Sequence, residues 1–552
     1  MQRREITQWL LAAASAALLP VRALPQSKTP GSRPAGLIDV RDYGVIANDP
    51  GAASANTTAL QALFDPNRPG PAGLVVFPNA TGRDTYHLNG VIPLRDGISI
   101  DLMGSTVRYS GRALPGDVNS GLFFALRDFS CQNGTIEVAC DTSAATGSGH
   151  AFQIGARGTD SSHFTVWDSQ LPVPMGNILL RNLRISVRNT GSNSSGAAAI
   201  GILGGVQNLV ADNIVIDGGG SLSLGINYEF GWATSGRADE RQTSHAHNMH
   251  FSNILVKNLD AANGLAMAFA GAYGCEVDGL HVTGGKTAFL AYPGECMFYR
   301  PWAGVDTAGA GRAILLRDVV AQSLSSTAIA LTGAQVASNG YMRTQFASKD
   351  RGAAYAAETN LGDFSVDGFA VADCGGYGIL TSAGRAIIRN GSISACQRGI
   401  VATDECVSLI VEGVDILRCQ QHGMQLDFGV AIWDPPRMKK VRIEDSHIAG
   451  NGTSAAGRFA GIEIGHCDSA LIENCRIGFE LGFDGKGETT QAHAILAGTG
   501  ASNVICRANH VGGVAGPGSV ADAGPSSGVV SGNSIEAPSG VTTSIGGWIK
   551  RS

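Results

Sequence analysis

Glu229, His247, Tyr299 and Arg300 put a carboxylate, an imidazole, a phenol and a guanidinium into one stretch of the chain. These are groups that move protons or steady a developing anion. Around them stand Asn227, Trp232, Arg241, His245, Tyr292 and Trp302. Aromatic faces stack on sugar rings, and arginine grips a carboxylate through two parallel hydrogen bonds. The mixture suits removal of the acidic C5 proton of a uronate, the step that begins β-elimination. His245 and His247 also share the i, i+2 spacing of metal ligands on a strand. No third ligand accompanies them, so no metal centre is assigned.

A second candidate lies further along. A Gly-Ile phrase recurs through the chain. If the residue after each glycine points inward, alternation turns Asp427 and Glu463 outward from adjacent repeats, two strand positions out of step. Their backbones would then be about 8 Å apart. Such a carboxylate pair can divide acid and base roles in glycoside hydrolysis, or hold Ca2+. Trp433 and Arg437, in the adjoining loop, are its candidate substrate contacts.

Both groups need a scaffold, and the sequence supplies a repeating one. Residues 364–379, 386–400 and 409–424 are three consecutive copies of one phrase: a β-branched run, a turn, a second run, a Gly-containing turn, then Gly-Ile or Gly-Met. The first turn also reads at Arg181-Asn182, Asp212-Asn213, Ser252-Asn253, Asp278-Gly279, Arg317-Asp318, Glu444-Asp445, Glu473-Asn474 and Ala508-Asn509. Asparagine and glycine suit a turn that needs positive φ. A phrase of roughly 22 residues cannot bury a face alone, whereas stacked phrases can. The expected architecture is therefore all-β, a parallel solenoid in which each strand pairs with its equivalent one coil away. Long insertions at 229–249, 293–311, 333–361, 427–438 and 480–492 mostly follow the Gly-Ile strand, so they should wall a groove floored by those strands. Outward floor positions include Asn227, Ala266, Ala268, Leu290, Ala330, Leu380, Val401, Gln425 and Glu463.

The N-terminal region carries a likeness. Ile38-Asp-Val-Arg-Asp-Tyr-Gly44 leads to Asn56-Thr-Thr-Ala-Leu-Gln-Ala-Leu63, then to Leu74-Val-Val-Phe-Pro78, Tyr86-His-Leu88 and Ile98-Ser-Ile-Asp-Leu102. This resembles the start of the pectate lyase/polygalacturonase-like superfamily. The resemblance implies a single-stranded, right-handed parallel β-helix whose first coil is closed by a short capping helix. It does not imply one reaction, because the fold carries lyases, hydrolases, epimerases and non-enzymatic proteins. The hydrolase signatures Asn-Thr-Asp, Asp-Asp and Gly-His-Gly are absent, and Gly465-His466-Cys467 only echoes the last. The expected function is an exported lyase acting on an acidic, uronate-containing polysaccharide. A glycoside hydrolase and a non-catalytic glycan-binding surface protein are the alternatives.

Composition agrees with short strands and tight turns: 75 glycines among 552 residues is about twice the usual share, and charged residues are only 16%. A net charge of -6 with no basic stripe gives nucleic acid no footprint. Residues 1–23 read as an export signal, with Arg3 and Arg4 before an apolar run from Trp9 to Leu19, so the expected location is periplasmic or secreted. Pro-rich residues 24–36 read as a linker, and 37–552 as one domain without a membrane span. Eleven cysteines show no C-x-x-C spacing, and Cys374, Cys396 and Cys419 recur once per phrase, as a buried stack would.

Overall fold

The computed structural model describes residues 36–65, 73–112, 121–141, 149–155, 175–189, 197–203, 206–219, 223–229, 246–270, 272–292, 314–331, 363–382, 385–403, 406–426, 438–478, 480–481, 487–488, 490–512, 520–522, 528–531, 533–536 and 549–550. The expected export signal and most of the linker lie outside them.

Each repeat folds as one coil, and equivalent strands pair in parallel with the coils on either side. Ile379 pairs with Ile400, Ile400 with Met424, and Met424 with Ile462. The Gly-Ile strands form a sheet of 14 strands among the described residues, from Ile92–Pro93 to Val520–Asp522, hereafter the floor sheet. The longer strands on the other side of each turn form a second parallel sheet, in which Met175–Asn189 joins Arg127–Asp141 to Val206–Gly219.

The bend within the long strands comes from the predicted turn. Asn182, Asn213, Asn253, Asp318, Asp445 and Asn474 adopt φ between 48° and 54°, and Gly279 stands at 75°. A left-handed residue swings the chain into a new direction without interrupting the ladder on either side. Asparagine also links the coils: Asn182 Nδ2 donates to Asn133 Oδ1 at 3.0 Å, and Asn213 Nδ2 donates to Asn182 Oδ1 at 2.9 Å. A parallel ladder begins the same strands, with Asn177 donating to Asp128 and Asn208 to Asn177. At Ala508-Asn509 the reading is off by one. Ala508 takes the left-handed conformation, while Asn509 is buried and accepts from the Cys475 N–H.

The core runs along the stack. Ile379, Ile400, Met424, Ile462 and Ile495 lie one above another and are wholly buried, each worth roughly 1.5–3 kcal/mol. Phe251, Phe269 and Phe289 pack in a row with ring centroids 5.4 and 5.5 Å apart, the first pair tilted and the second edge-on. The expected cysteine column is present: Cys374, Cys396 and Cys419 are buried, and the ten described cysteines form no disulfide. At the N-terminal end, helix α1 (Ala53–Phe64) buries Leu60, Leu63 and Phe64. Asn56 ties it to the first coil, accepting from the Ile46 N–H and donating to the Ile46 and His87 carbonyls. Among the described residues no helix is long and apolar enough to cross a membrane.

Candidate functional site

The glycines of the Gly-Ile phrase decide which side chains reach the outer face of the floor. A Cβ on Gly399 would lie 2.4 Å from Ile416 Cγ2 and 2.3 Å from the Gly423 carbonyl oxygen. One on Gly378 would meet Ile393, and one on Gly423 would meet Ile448. These positions face the core although the isoleucine or methionine after them does too, so alternation slips there by one place. The residue before each glycine turns to the other face of the strand, where Tyr377 and Arg398 are half-buried and His422 is buried. Tyr377, Arg398 and His422 stand there on three successive coils, a row that strict period-2 reading from the isoleucine assigns to the interior.

Glu463 completes the group. It lies beside Gln425 in register on the next coil, and Gln425 Nε2 donates to Glu463 Oε2 at 2.7 Å. His422 Nε2 lies 3.3 Å from that same oxygen. His422 Nδ1 accepts from the Ala460 N–H at 3.2 Å, so the neutral ring carries its proton on Nε2, toward the carboxylate. The imidazole packs edge-on against Phe459, with centroids 5.1 Å apart. Arg398 Nε donates to Gln421 Oε1 at 2.7 Å, and its guanidinium lies 5.4 Å from the centre of the Tyr377 ring.

Burial sets the charges here. It pushes the His422 pKa down to about 4, and Arg398 acts in the same direction, so the ring is neutral at ordinary pH. Burial raises the Glu463 pKa above its usual range, outweighing the Gln425 hydrogen bond and the attraction of Arg398. The Glu463 side chain keeps 29% of its surface exposed, and among the described residues its Oε1 has no hydrogen-bond partner. The arrangement therefore holds a carboxyl by one oxygen, leaves the other available, and favours its acid form.

Of the other candidates, Asn227 and Glu229 are in the floor strand Ser223–Glu229, and Tyr292 ends the floor strand Thr287–Tyr292, two coils on. His247 does not join them on the floor: it begins His247–Lys257 in the second sheet, paired with Gln207 and Tyr273. Trp232, Arg241, His245, Tyr299, Arg300, Trp302, Asp427, Trp433 and Arg437 lie outside the described residues. Between the two ends the floor is apolar. Ala268, Ala330, Leu380 and Val401 are buried yet stand apart from the core cluster, as outward positions should. Ala266, expected with them, belongs to the core instead. Among the described residues no cluster of three or more His, Cys, Asp or Glu could hold a metal ion.

Residues 344–477 match the family model described as right handed beta helix region. The chain is a right-handed parallel β-helix. The comparison with curated proteins finds no match. Among solved structures, this β-helix is similar to the A-module of a mannuronan C-5 epimerase from Azotobacter vinelandii, at 13% identity and TM-score 0.39, covering 91% of this chain and 99% of that one. It is also similar to tailspike protein 3 of bacteriophage CBA120, at 12% identity and TM-score 0.38, covering 99% and 70%. A third is the catalytic unit of a GH87 alpha-1,3-glucanase from Streptomyces thermodiastaticus strain HF3-3, at 11% identity and TM-score 0.33, covering 96% and 72%. Likeness at this level bears on neither reaction nor substrate.

Proposed function

We propose that this β-helix is an exported carbohydrate-active enzyme that hydrolyses a polysaccharide laid along the outer face of the floor sheet, with Glu463 as the proton-transfer group. One observation carries the reading. Glu463 is a half-buried carboxyl whose acid form is favoured, anchored through Oε2 by Gln425 with His422 close by, its other oxygen unengaged. A carboxylic acid so held can protonate a glycosidic oxygen as its bond to the anomeric carbon breaks, and the resulting carboxylate can then take a proton from the water whose oxygen adds to that carbon. Neutral His422 and Gln425 keep the group aimed without neutralising it by an ion pair.

β-Elimination at the Asn227–Trp302 stretch is the second reading, favoured by its basic and aromatic residues. One experiment separates them. Purified protein is incubated with a panel of neutral and uronate-containing polysaccharides, with and without Ca2+, while near-ultraviolet absorbance and reducing ends are followed together. New reducing ends without absorbance, abolished by Glu463→Gln, support hydrolysis at Glu463. Absorbance rising in step with reducing ends, untouched by Glu463→Gln, overturns it in favour of the lyase. No product from any polymer counts against both and favours a glycan-binding protein.

A further inference from the structure

Arginines of the second sheet spend their charge on carboxylates one coil away. Arg181 lies 3.3 Å from Asp212, Arg184 3.0 Å from Asp217, Arg389 3.0 Å from Glu412 and Arg507 2.7 Å from Glu473. Two arginines near Glu463 are placed differently, each over an aromatic ring. Arg398 lies over Tyr377, and Arg458 lies 5.5 Å from the centre of the Phe459 ring. Arg458 is exposed and has no ion-pair partner among the described residues, while Tyr377, Arg398 and Phe459 are half-buried. Tyr377, Arg398, His422 and Phe459 follow one another on successive coils, so the two arginine–ring pairs flank the imidazole that touches Glu463. The turn that carries Arg458 is fixed. Residues 452–460 form a longer turn than 420–422, its counterpart one coil before. The Gly452 N–H donates to the Cys419 and Gln421 carbonyls, Ser454 Oγ to the Gln420 carbonyl at 2.6 Å, and the Gly457 N–H to the Thr490 carbonyl at 2.8 Å. The Phe459 carbonyl accepts from the Ala492 N–H at 2.7 Å.

We propose that Arg398 and Arg458 form an anion-recognising row beside Glu463, so that the glycan taken there carries negative groups, carboxylates or sulfate esters. The inference deepens the preceding reading and rests on it for the presence of a glycan. A guanidinium resting on an aromatic face is attracted by the ring and has already given up part of its side-chain freedom. Its N–H edge then meets a planar or tetrahedral oxyanion through parallel hydrogen bonds, a geometry that a lone hydroxyl does not fill. The chain as a whole carries a net charge of -6, so a polyanion is repelled by most of the surface and drawn to cations that carboxylates of the protein do not offset, as at Arg458. The Arg398 charge also acts on His422 and Glu463, which places the row within electrostatic range of the reacting carboxyl. A neutral sugar would leave both guanidinium groups unused.

The test uses the full chain carrying Glu463→Gln to prevent turnover. Oligogalacturonides, sulfated galacto-oligosaccharides and neutral galacto-oligosaccharides are titrated calorimetrically at low salt, with and without Arg398→Gln and Arg458→Gln. The expected result is that one anionic series binds about tenfold or more tighter than the neutral one, and that each substitution removes about tenfold of that affinity. Which series binds tells carboxylate from sulfate ester. Arg458 is exposed, so Arg458→Gln should leave the thermal midpoint level and decides the matter if Arg398→Gln disturbs the Tyr377 packing. Arg458→Lys should keep part of the affinity. Neutral oligosaccharides binding as tightly as anionic ones, or an anionic preference that survives both substitutions, overturns the row and leaves hydrolysis at Glu463 standing. Failure of every oligosaccharide to bind overturns both. Arginine-dependent binding of an anionic series by a protein whose native form cleaves no polymer keeps the row and removes the enzyme.

Discussion

His422 Nε2 and Glu463 Oε2 lie 3.3 Å apart on neighbouring coils, and burial drives both groups toward their neutral forms. The pair is therefore a proton donor beside a carboxyl that resists ionising, rather than a salt bridge. Each substitution below probes one element of that arrangement or of the coils that hold it.

Glu463→Gln keeps the size of the side chain and its Gln425 contact while removing the exchangeable proton. Turnover should fall by about 100-fold or more. The thermal midpoint should stay level or rise, since a carboxyl disfavoured by burial has gone. Retention of more than a tenth of the activity would remove Glu463 from the chemistry.

Stability should depend on pH through His422. Its folded pKa of about 4 lies below the unfolded value of about 6.5, so the unfolded chain binds the proton first. The stabilising contribution is whole above pH 6.5 and is lost progressively down to pH 4, amounting to about 3 kcal/mol. Glu463 acts oppositely: its raised folded pKa gives the native state extra proton uptake, so its unfavourable contribution eases as pH falls through that value. Urea unfolding at pH 7, 5.5 and 4.5 should show a slope that His422→Gln flattens and Glu463→Gln steepens.

Asn182 serves the turn in two ways, by conformation and by its links to Asn133 and Asn213. Asn182→Ala should cost about 2 kcal/mol, the sum of left-handed strain and lost hydrogen bonds. Asn182→Gly should recover about 1 kcal/mol of it, because glycine tolerates the φ but cannot bridge the coils. Equal losses in the two variants, read from denaturant midpoints, would show that the conformation is not what the turn demands.

Gly399→Ala drives a methyl against Ile416 and the Gly423 carbonyl, both parts of the stacked core. Overpacking of this kind costs about 1–3 kcal/mol or more. The coil between Arg398 and His422 should shift, so activity should fall further than that of the whole fold. A fully active, equally stable alanine variant would contradict the core-facing geometry.

The column of cysteines should be chemically silent. Burial raises the Cys419 thiol to about 12, and Cys396 is pushed up as well by its hydrogen bond with Cys374 and by burial, whereas that same hydrogen bond lowers Cys374. All three sulfurs are buried, Cys374 at 2% exposure, so a reagent in solution does not reach them. Peptide mapping after iodoacetamide treatment should find the ten described cysteines unmodified in native protein and labelled in urea. Rapid native labelling at Cys419 would show that the coils open there.

The repeat made the architecture readable. Asparagine, aspartate or glycine at one place in successive phrases marked left-handed turns from Asn182 to Asn474, because few other residues tolerate that backbone. The recurring Gly-Ile or Gly-Met also gives the register that puts Gln425 beside Glu463, across phrases of unequal length. The reading failed where a residue's size, rather than its polarity, fixed its direction. Gly378, Gly399 and Gly423 face inward because any Cβ would strike the core, and that slip carried Tyr377, Arg398 and His422 outward unnoticed. A row of unlike polar residues before a constant glycine was the available signal. Ala266 failed for a related reason, being small enough to suit either face. His247 goes with Glu229 by nearness in sequence, although the two belong to different sheets.

Because the glycines after Tyr377, Arg398 and His422 take up the packing constraint, the side chains just before them are released from it. Each coil thus presents one variable position on an invariant backbone, like type set in a fixed frame. Exchange of Tyr377 or Arg398, both half-buried, changes what the surface recognises without asking the core to rearrange, whereas His422 is held by Phe459 and the Ala460 N–H. Gain or loss of a whole coil would move the row by one step and leave its spacing intact. A lineage built on this scaffold could alter its chemistry letter by letter, or shift it along the stack, while preserving the fold that supports it.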